Sequence, residues 1–122
     1  MAELILEPFS AVQRWTLPQA GAPPEAILKD FLEAMARNCQ ASGECVIGHI
    51  KALVLFPDHG YLRVSVVAAH LPATIDGAAP PGCTSLEVTL NVLVYGLERG
   101  RIEQITQQTA RQVAGKWHLE IS

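Results

Sequence analysis

From Cys45 to Phe56 the chain alternates, with Val46, Gly48, Ile50, Ala52, Val54 and Phe56 all apolar or small. Successive side chains of a strand point to opposite faces, so this period of two predicts a strand with one core face. The same period returns at Leu62, Val64, Val66 and Ala68, and again at Leu86, Val88, Leu90, Val92 and Val94. Three strands sharing a core face are expected. Upstream the period lengthens: Ile27, Leu28, Phe31, Leu32, Met35 and Cys39 recur at helical spacing. They follow Pro23-Pro24-Glu25, where proline and a carboxylate both suit a helix's first turn. This helix should run to about Asn38 and end at Ser42-Gly43. A second, from about Glu98 to Ala114, carries Ile102, Ile105, Thr109 and Val113 on one stripe, with Gly115 as its stop.

The remaining segments are read from their breakers. Leu4-Ile5-Leu6 and Val12 to Leu17 suit one or two short strands, broken by Pro8 and Pro18, so residues 1–20 form a strand segment. A three-residue turn Asp58-His59-Gly60, with Gly60 left-handed, pairs Phe56 with Leu62 and brings the two apolar faces together. His70 to Thr84 is rich in Pro, Ala and Gly, which predicts a mobile loop over 70–84. Trp117 to Ile121 alternates and adds a terminal edge strand, with His118 exposed on it. The expected architecture is one α+β domain over residues 1–122. It is a two-layer sandwich: an antiparallel sheet of three central strands plus one or two terminal ones, with both helices on one face. Similar element orders occur in ferredoxin-like and double-stranded-RNA-binding folds, but no shared sequence motif accompanies them and no family is recognised in these residues.

Composition narrows the possible partners. Of the 122 residues, 49% are hydrophobic and only 17% charged, which leaves little charge to cover the exterior and implies that some apolar surface meets a partner. A net charge of −3 repels phosphate backbones and anionic lipid, so nucleic acid is a disfavoured partner. Cys39, Cys45 and Cys83 are odd in number and sparse, as free thiols in a reducing, cytoplasmic compartment would be. The first ten residues lack a basic region followed by a long apolar run. No apolar stretch reaches the ~20 residues of a membrane span, so secretion and membrane insertion are disfavoured.

The candidate chemistry lies on the outer sheet face. Alternation places Ile47, His49, Lys51, Leu53 and Leu55 there on the first central strand, Tyr61, Arg63, Ser65 and Val67 on the second, and Glu87, Thr89, Asn91, Leu93, Tyr95 and Leu97 on the third. If the third strand pairs with the second, Leu53, Leu55, Tyr61, Leu93, Tyr95 and Leu97 gather into a half too apolar to be left in water. Either the N-terminal segment, with Phe9 and Trp15, covers it, or a second copy does in a homodimer. The other half gathers His49, Lys51, Glu87, Thr89 and Asn91 as a candidate ligand site. There a carboxylate could fix the His tautomer and the Lys could stabilise an anion. No nucleophile or substrate motif accompanies them, so a solvated polar face is the plainer reading and no catalytic residue is assigned.

Other chemistries have less support. Cys39-x5-Cys45-x3-His49 lacks the spacing of a zinc knuckle, so its cysteines read as buried inert thiols, and no metal or cofactor is expected. Arg99, Arg101, Arg111 and Lys116 against Glu98 and Glu103 leave an excess of two positive charges on the second helix, weak support for RNA binding. The expectation is a small cytoplasmic non-enzymatic binding or assembly protein, homodimeric, engaging a protein or a small ligand. The alternatives are a small-molecule enzyme or sensor using His49, Lys51 and Glu87, and a weak RNA-binding module. A concave pocket in the polar half favours a small molecule; a flat face favours assembly.

Overall fold

The computed structural model describes residues 8–19, 21 and 23–122. In chain order these form β1 (Phe9–Thr16), α1 (Pro24–Ala41), β2 (Val46–Leu55), β3 (Tyr61–Val66), β4 (Thr74–Ala78), β5 (Ser85–Tyr95), α2 (Arg99–Trp117) and β6 (Glu120–Ile121). The strand expected at Leu4-Ile5-Leu6 lies outside the described residues. The fold is α+β, a two-layer sandwich in which both helices cover one face of an antiparallel sheet. Among the described residues the sheet has six strands rather than three to five, in the order β4-β3-β2-β5-β1-β6.

The helical stripe of α1 is the centre of the core: Ile27, Leu28, Phe31, Leu32, Met35 and Cys39 are all buried. They pack on the inward residues of the sheet, Ile50, Ala52, Val54, Leu62, Val64, Leu86, Val88, Leu90 and Val92 among them. The Trp15 and Phe31 rings meet edge to face, with centroids 5.1 Å apart. α2 adds Ile102, Ile105 and Val113 and is tied to α1 by polar contacts. Asn38 Nδ2 donates to Thr109 Oγ1 (2.9 Å) and Gln112 Oε1 (3.1 Å), and Trp117 Nε1 donates to Asp30 Oδ2 (2.8 Å). Among the described residues no helix is long and apolar enough to cross a membrane.

Several local expectations change. α2 runs through Gly115 and stops at His118, whose φ of 60° places it in the left-handed region, while Leu119 N–H closes back on Ala114 O at 3.0 Å. His118 is therefore a helix cap and not a strand residue, and β6 is two residues long. In the β2–β3 hairpin Val54, not Phe56, pairs with Leu62, and Leu55 pairs with Tyr61. The turn is Pro57-Asp58-His59. Proline, which has no N–H to give a ladder, sits where its fixed φ suits a turn, and His59 takes the left-handed φ of 64°. The shift is two residues, so the apolar faces still coincide.

A third change reverses two side chains. The β2–β5 register slips between Ile47 and His49, and Gly48 is the extra residue. Ile47 consequently packs against the core while Val46 is exposed. A side chain at Gly48 would press on Leu93 O, 3.0 Å from where its Cβ would stand.

Finally, residues 70–84 contain a strand that their composition does not announce. β4 pairs with β3 from Tyr61↔Ala78 to Ser65↔Thr74. Helix carboxylates hold both its ends: Glu33 Oε2 accepts from Ala73 N–H at 2.8 Å and Glu25 Oε2 from Ala79 N–H at 3.4 Å.

Candidate functional site: the open sheet face

With α1 over β2, β3 and β4 and α2 over β1 and β6, the opposite face of the sheet has no layer upon it among the described residues. β1 does not fold across that face. It joins the sheet between β5 and β6 and turns Phe9 and Trp15 into the core. Phe9 and Trp15 therefore do not supply the expected cover but belong to an extra strand, because they alternate in phase with the inward residues of β5.

The pairing registers fix which outward side chains are neighbours. One row across the sheet reads Thr74, Ser65, Lys51, Asn91, Ser10, and every member is polar. The next reads Asp76, Arg63, Leu53, Thr89, Val12, and the third Ala78, Tyr61, Leu55, Glu87, Arg14. Leu55 is thus the neighbour of both Leu53 and Tyr61, Thr89 links Leu53 to Val12, and charged residues border them. This diagonal apolar band is exposed: Leu53 by 38%, Tyr61 by 41%, Leu55 by 46% and Val12 by 59%.

The expected apolar half is only partly assembled. β5 pairs with β2, not β3, so Tyr95 faces Val46 at one end while Tyr61 lies at the other. Leu93 stands opposite His49, half-buried and away from the band. Leu97 leaves the face altogether. Gly96, at φ 99°, turns the chain inward and Leu97 is buried in the core.

The expected polar cluster divides as well. Lys51 is opposite Asn91, and Leu53 is opposite Thr89, but Glu87 is opposite Leu55. His49 and Leu55 are six positions apart on one strand, which separates His49 from Glu87 by roughly 20 Å. No histidine–carboxylate dyad forms between them. Glu87 instead borders a 410 Å³ depression at the end of the sheet with Arg14, Leu55 and Ser122.

What the structure brings together is a different polar set. Lys51, Leu53, Arg63, Ser65, Thr74, Asp76 and Asn91 line an open groove of about 490 Å³ over β2, β3 and β4. Ser65 and Thr74 hydroxyls share a hydrogen bond at 3.2 Å, and Ser10 Oγ donates to Asn91 Oδ1 at 3.1 Å. The Arg63 guanidinium lies over the Tyr61 ring, 5.3 Å from its centroid. Among the described residues no ion pair neutralises Lys51 or Arg63, although Asp76 is the cross-strand neighbour of Arg63. Thr74 and Asp76 were invisible to sequence reasoning because they belong to β4, and Val12 because the place of β1 in the sheet was not fixed.

The thiols lie elsewhere. Cys39 is fully buried, and burial together with the neighbouring Cys45 thiol pushes it up to about 12. Cys45 S–H donates to Cys39 O at 3.4 Å, and burial raises it too. Among the described residues no three His, Cys, Asp or Glu side chains stand close enough to hold a metal ion. The chain matches no protein-family model, and no curated protein or solved structure gives a significant match.

Proposed function

We propose that this is a non-enzymatic assembly protein that forms a homodimer in the cytoplasm by pairing its open sheet face with that of a second copy. The observation that carries this reading is the band of exposed Tyr61, Leu55, Leu53 and Val12, joined through half-buried Thr89. A ring of opposite charges surrounds it: Arg14, Lys51 and Arg63 against Asp76 and Glu87. An apolar centre within a polar rim is the usual anatomy of a protein interface, and mixed signs let one surface complement its own copy. Five strand spacings of about 4.8 Å by some 27 Å of strand give a plane on the order of 600 Å². Side-chain relief raises that toward the ~800 Å² per partner of a standard interface. The cysteines are free thiols, which supports a reducing compartment.

Sedimentation equilibrium of the purified chain tests the reading. The expected particle is a dimer, about twice 13.2 kDa. Leu55→Asp should return it to a monomer with fold stability changed by less than about 0.5 kcal/mol, since Leu55 lies outside the core. A wild-type monomer at tens of micromolar, or a dimer that ignores Leu55→Asp, would overturn it.

A further inference from the structure

We infer that β4 is a detachable strap, latched at both ends by α1, that opens as one unit while the rest of the sheet stays closed. The inference goes beyond the assembly reading and does not need the dimer. Burial gives β4 little hold of its own: Thr74 to Ala78 are all exposed, and Ile75, its one large apolar side chain, is 37% exposed. β4 is an edge of the sheet, and among the described residues only β3 pairs with it. Its anchors stand just outside the strand, at buried Ala73 and half-buried Ala79. Ala73 N–H donates to Glu33 Oε2 at 2.8 Å and Ala79 N–H to Glu25 Oε2 at 3.4 Å, so two side chains of one helix latch both ends. Lys29 Nζ in turn holds Glu33 Oε2 at 3.2 Å.

The parity of pairing tells which bonds an opening breaks. Phe56 N–H donates to Gly60 O at 3.3 Å, closing the β2–β3 hairpin. Bonded and non-bonded pairs alternate in an antiparallel ladder, so Leu62 and Val64 turn their backbone groups to β2, while Tyr61, Arg63 and Ser65 turn theirs to β4. Their partners there are Ala78, Asp76 and Thr74. Ile75 and Gly77 point away from the sheet, on the same side as the latched N–H groups of Ala73 and Ala79, as alternation requires. Once the latches release, β4 is held by those pairs, the Ser65–Thr74 hydroxyl contact and two small alanine side chains, all at the sheet edge. Such segments open at a lower free energy than the core strands. Departure of β4 bares the edge of β3, so the latches decide whether the sheet ends at β4 or at β3.

The test is native-state hydrogen exchange, followed residue by residue in ¹H–¹⁵N correlation spectra. It is run on the wild type and on Leu55→Asp, so that loss of the dimer and opening of the strap are read separately. The expected result in both proteins is an alternation along β3. The amides of Tyr61, Arg63 and Ser65 should exchange together with those of Thr74, Asp76 and Ala78, at least about tenfold faster than those of Leu62 and Val64. Glu33→Ala should speed the first group at least about fivefold and leave Leu62 and Val64 within about twofold, with Glu33→Gln, which keeps an acceptor, in between. Glu25→Ala, whose bond is longer, should act in the same direction and more weakly. Neither glutamate belongs to the core and alanine suits a helix, so the variants should fold. The strap is refuted by β3 amides that all exchange alike, by β4 amides that open only with the central sheet, or by Glu33→Ala leaving the β4 amides unchanged or speeding every amide equally.

Discussion

Asp30 links the two helices, and its replacement gives a graded series. Its Oδ2 accepts the Trp117 indole N–H at 2.8 Å and faces Lys116 Nζ at 3.1 Å. A hydrogen bond to a charged acceptor contributes about 1.5–3 kcal/mol, toward the lower end here because Trp117 is only half-buried and its N–H can reach water. The ion pair adds less than about 1 kcal/mol, since the Lys116 side chain is 61% exposed. Lys116 also sits 5.2 Å from the Trp117 ring centroid, a contact of about 0.5 kcal/mol at an exposed site. Asp30→Ala should therefore cost about 2 kcal/mol and lower Tm by roughly 8 °C. Asp30→Asn keeps an acceptor for the indole but loses the charge, and should cost about 1 kcal/mol. The assay is urea unfolding by circular dichroism, with Trp117→Phe and the double variant completing a cycle. A coupling above about 1 kcal/mol is expected between the two positions. Asp30→Ala costing under about 0.5 kcal/mol, or additive single changes, would refute the linkage.

Two further outcomes follow from backbone and thiol. Gly96→Ala should destabilise by at least about 2 kcal/mol, because the residue has φ 99° and an added Cβ would stand 2.7 Å from Glu44 O; an unchanged urea midpoint would contradict this. Cys39 holds its proton more tightly folded than unfolded, rising from 9.0 to about 12, so its contribution is complete below pH 9 and is lost as pH climbs toward 12. The wild type should lose stability across that window more steeply than Cys39→Ala, by up to ~1.4 kcal/mol per pH unit, and parallel pH profiles would contradict it.

The layer arrangement was legible because burial imprints a period on the chain. The stripe from Ile27 to Cys39 and the alternation from Leu86 to Val94 each name their core face without any knowledge of neighbours. β4 was hidden for the converse reason. All five of its residues are exposed at the sheet edge, so Thr74 to Ala78 carry no apolar period. Gly48 hid the reversal of Val46 and Ile47, since a bulge costs one residue of phase and glycine fits either face. The candidate site suffered most, because it depends on strand order. Alternation correctly placed His49, Lys51, Glu87, Thr89 and Asn91 on one face, but only the β2–β5 register shows that Lys51 meets Asn91 while Glu87 lies a strand's length from His49. Inserting β5 between β2 and β1 is a long-range choice that no local pattern records.

The most direct test of the shared sheet face is an isotope-filtered NOE experiment on a mixture of methyl-labelled and unlabelled protomers. Intermolecular cross-peaks are expected from the methyl groups of Val12, Leu53 and Leu55 and from the ring of Tyr61, all exposed in the single chain. Cross-peaks confined to the helices, or none at a concentration where sedimentation shows a dimer, would contradict it.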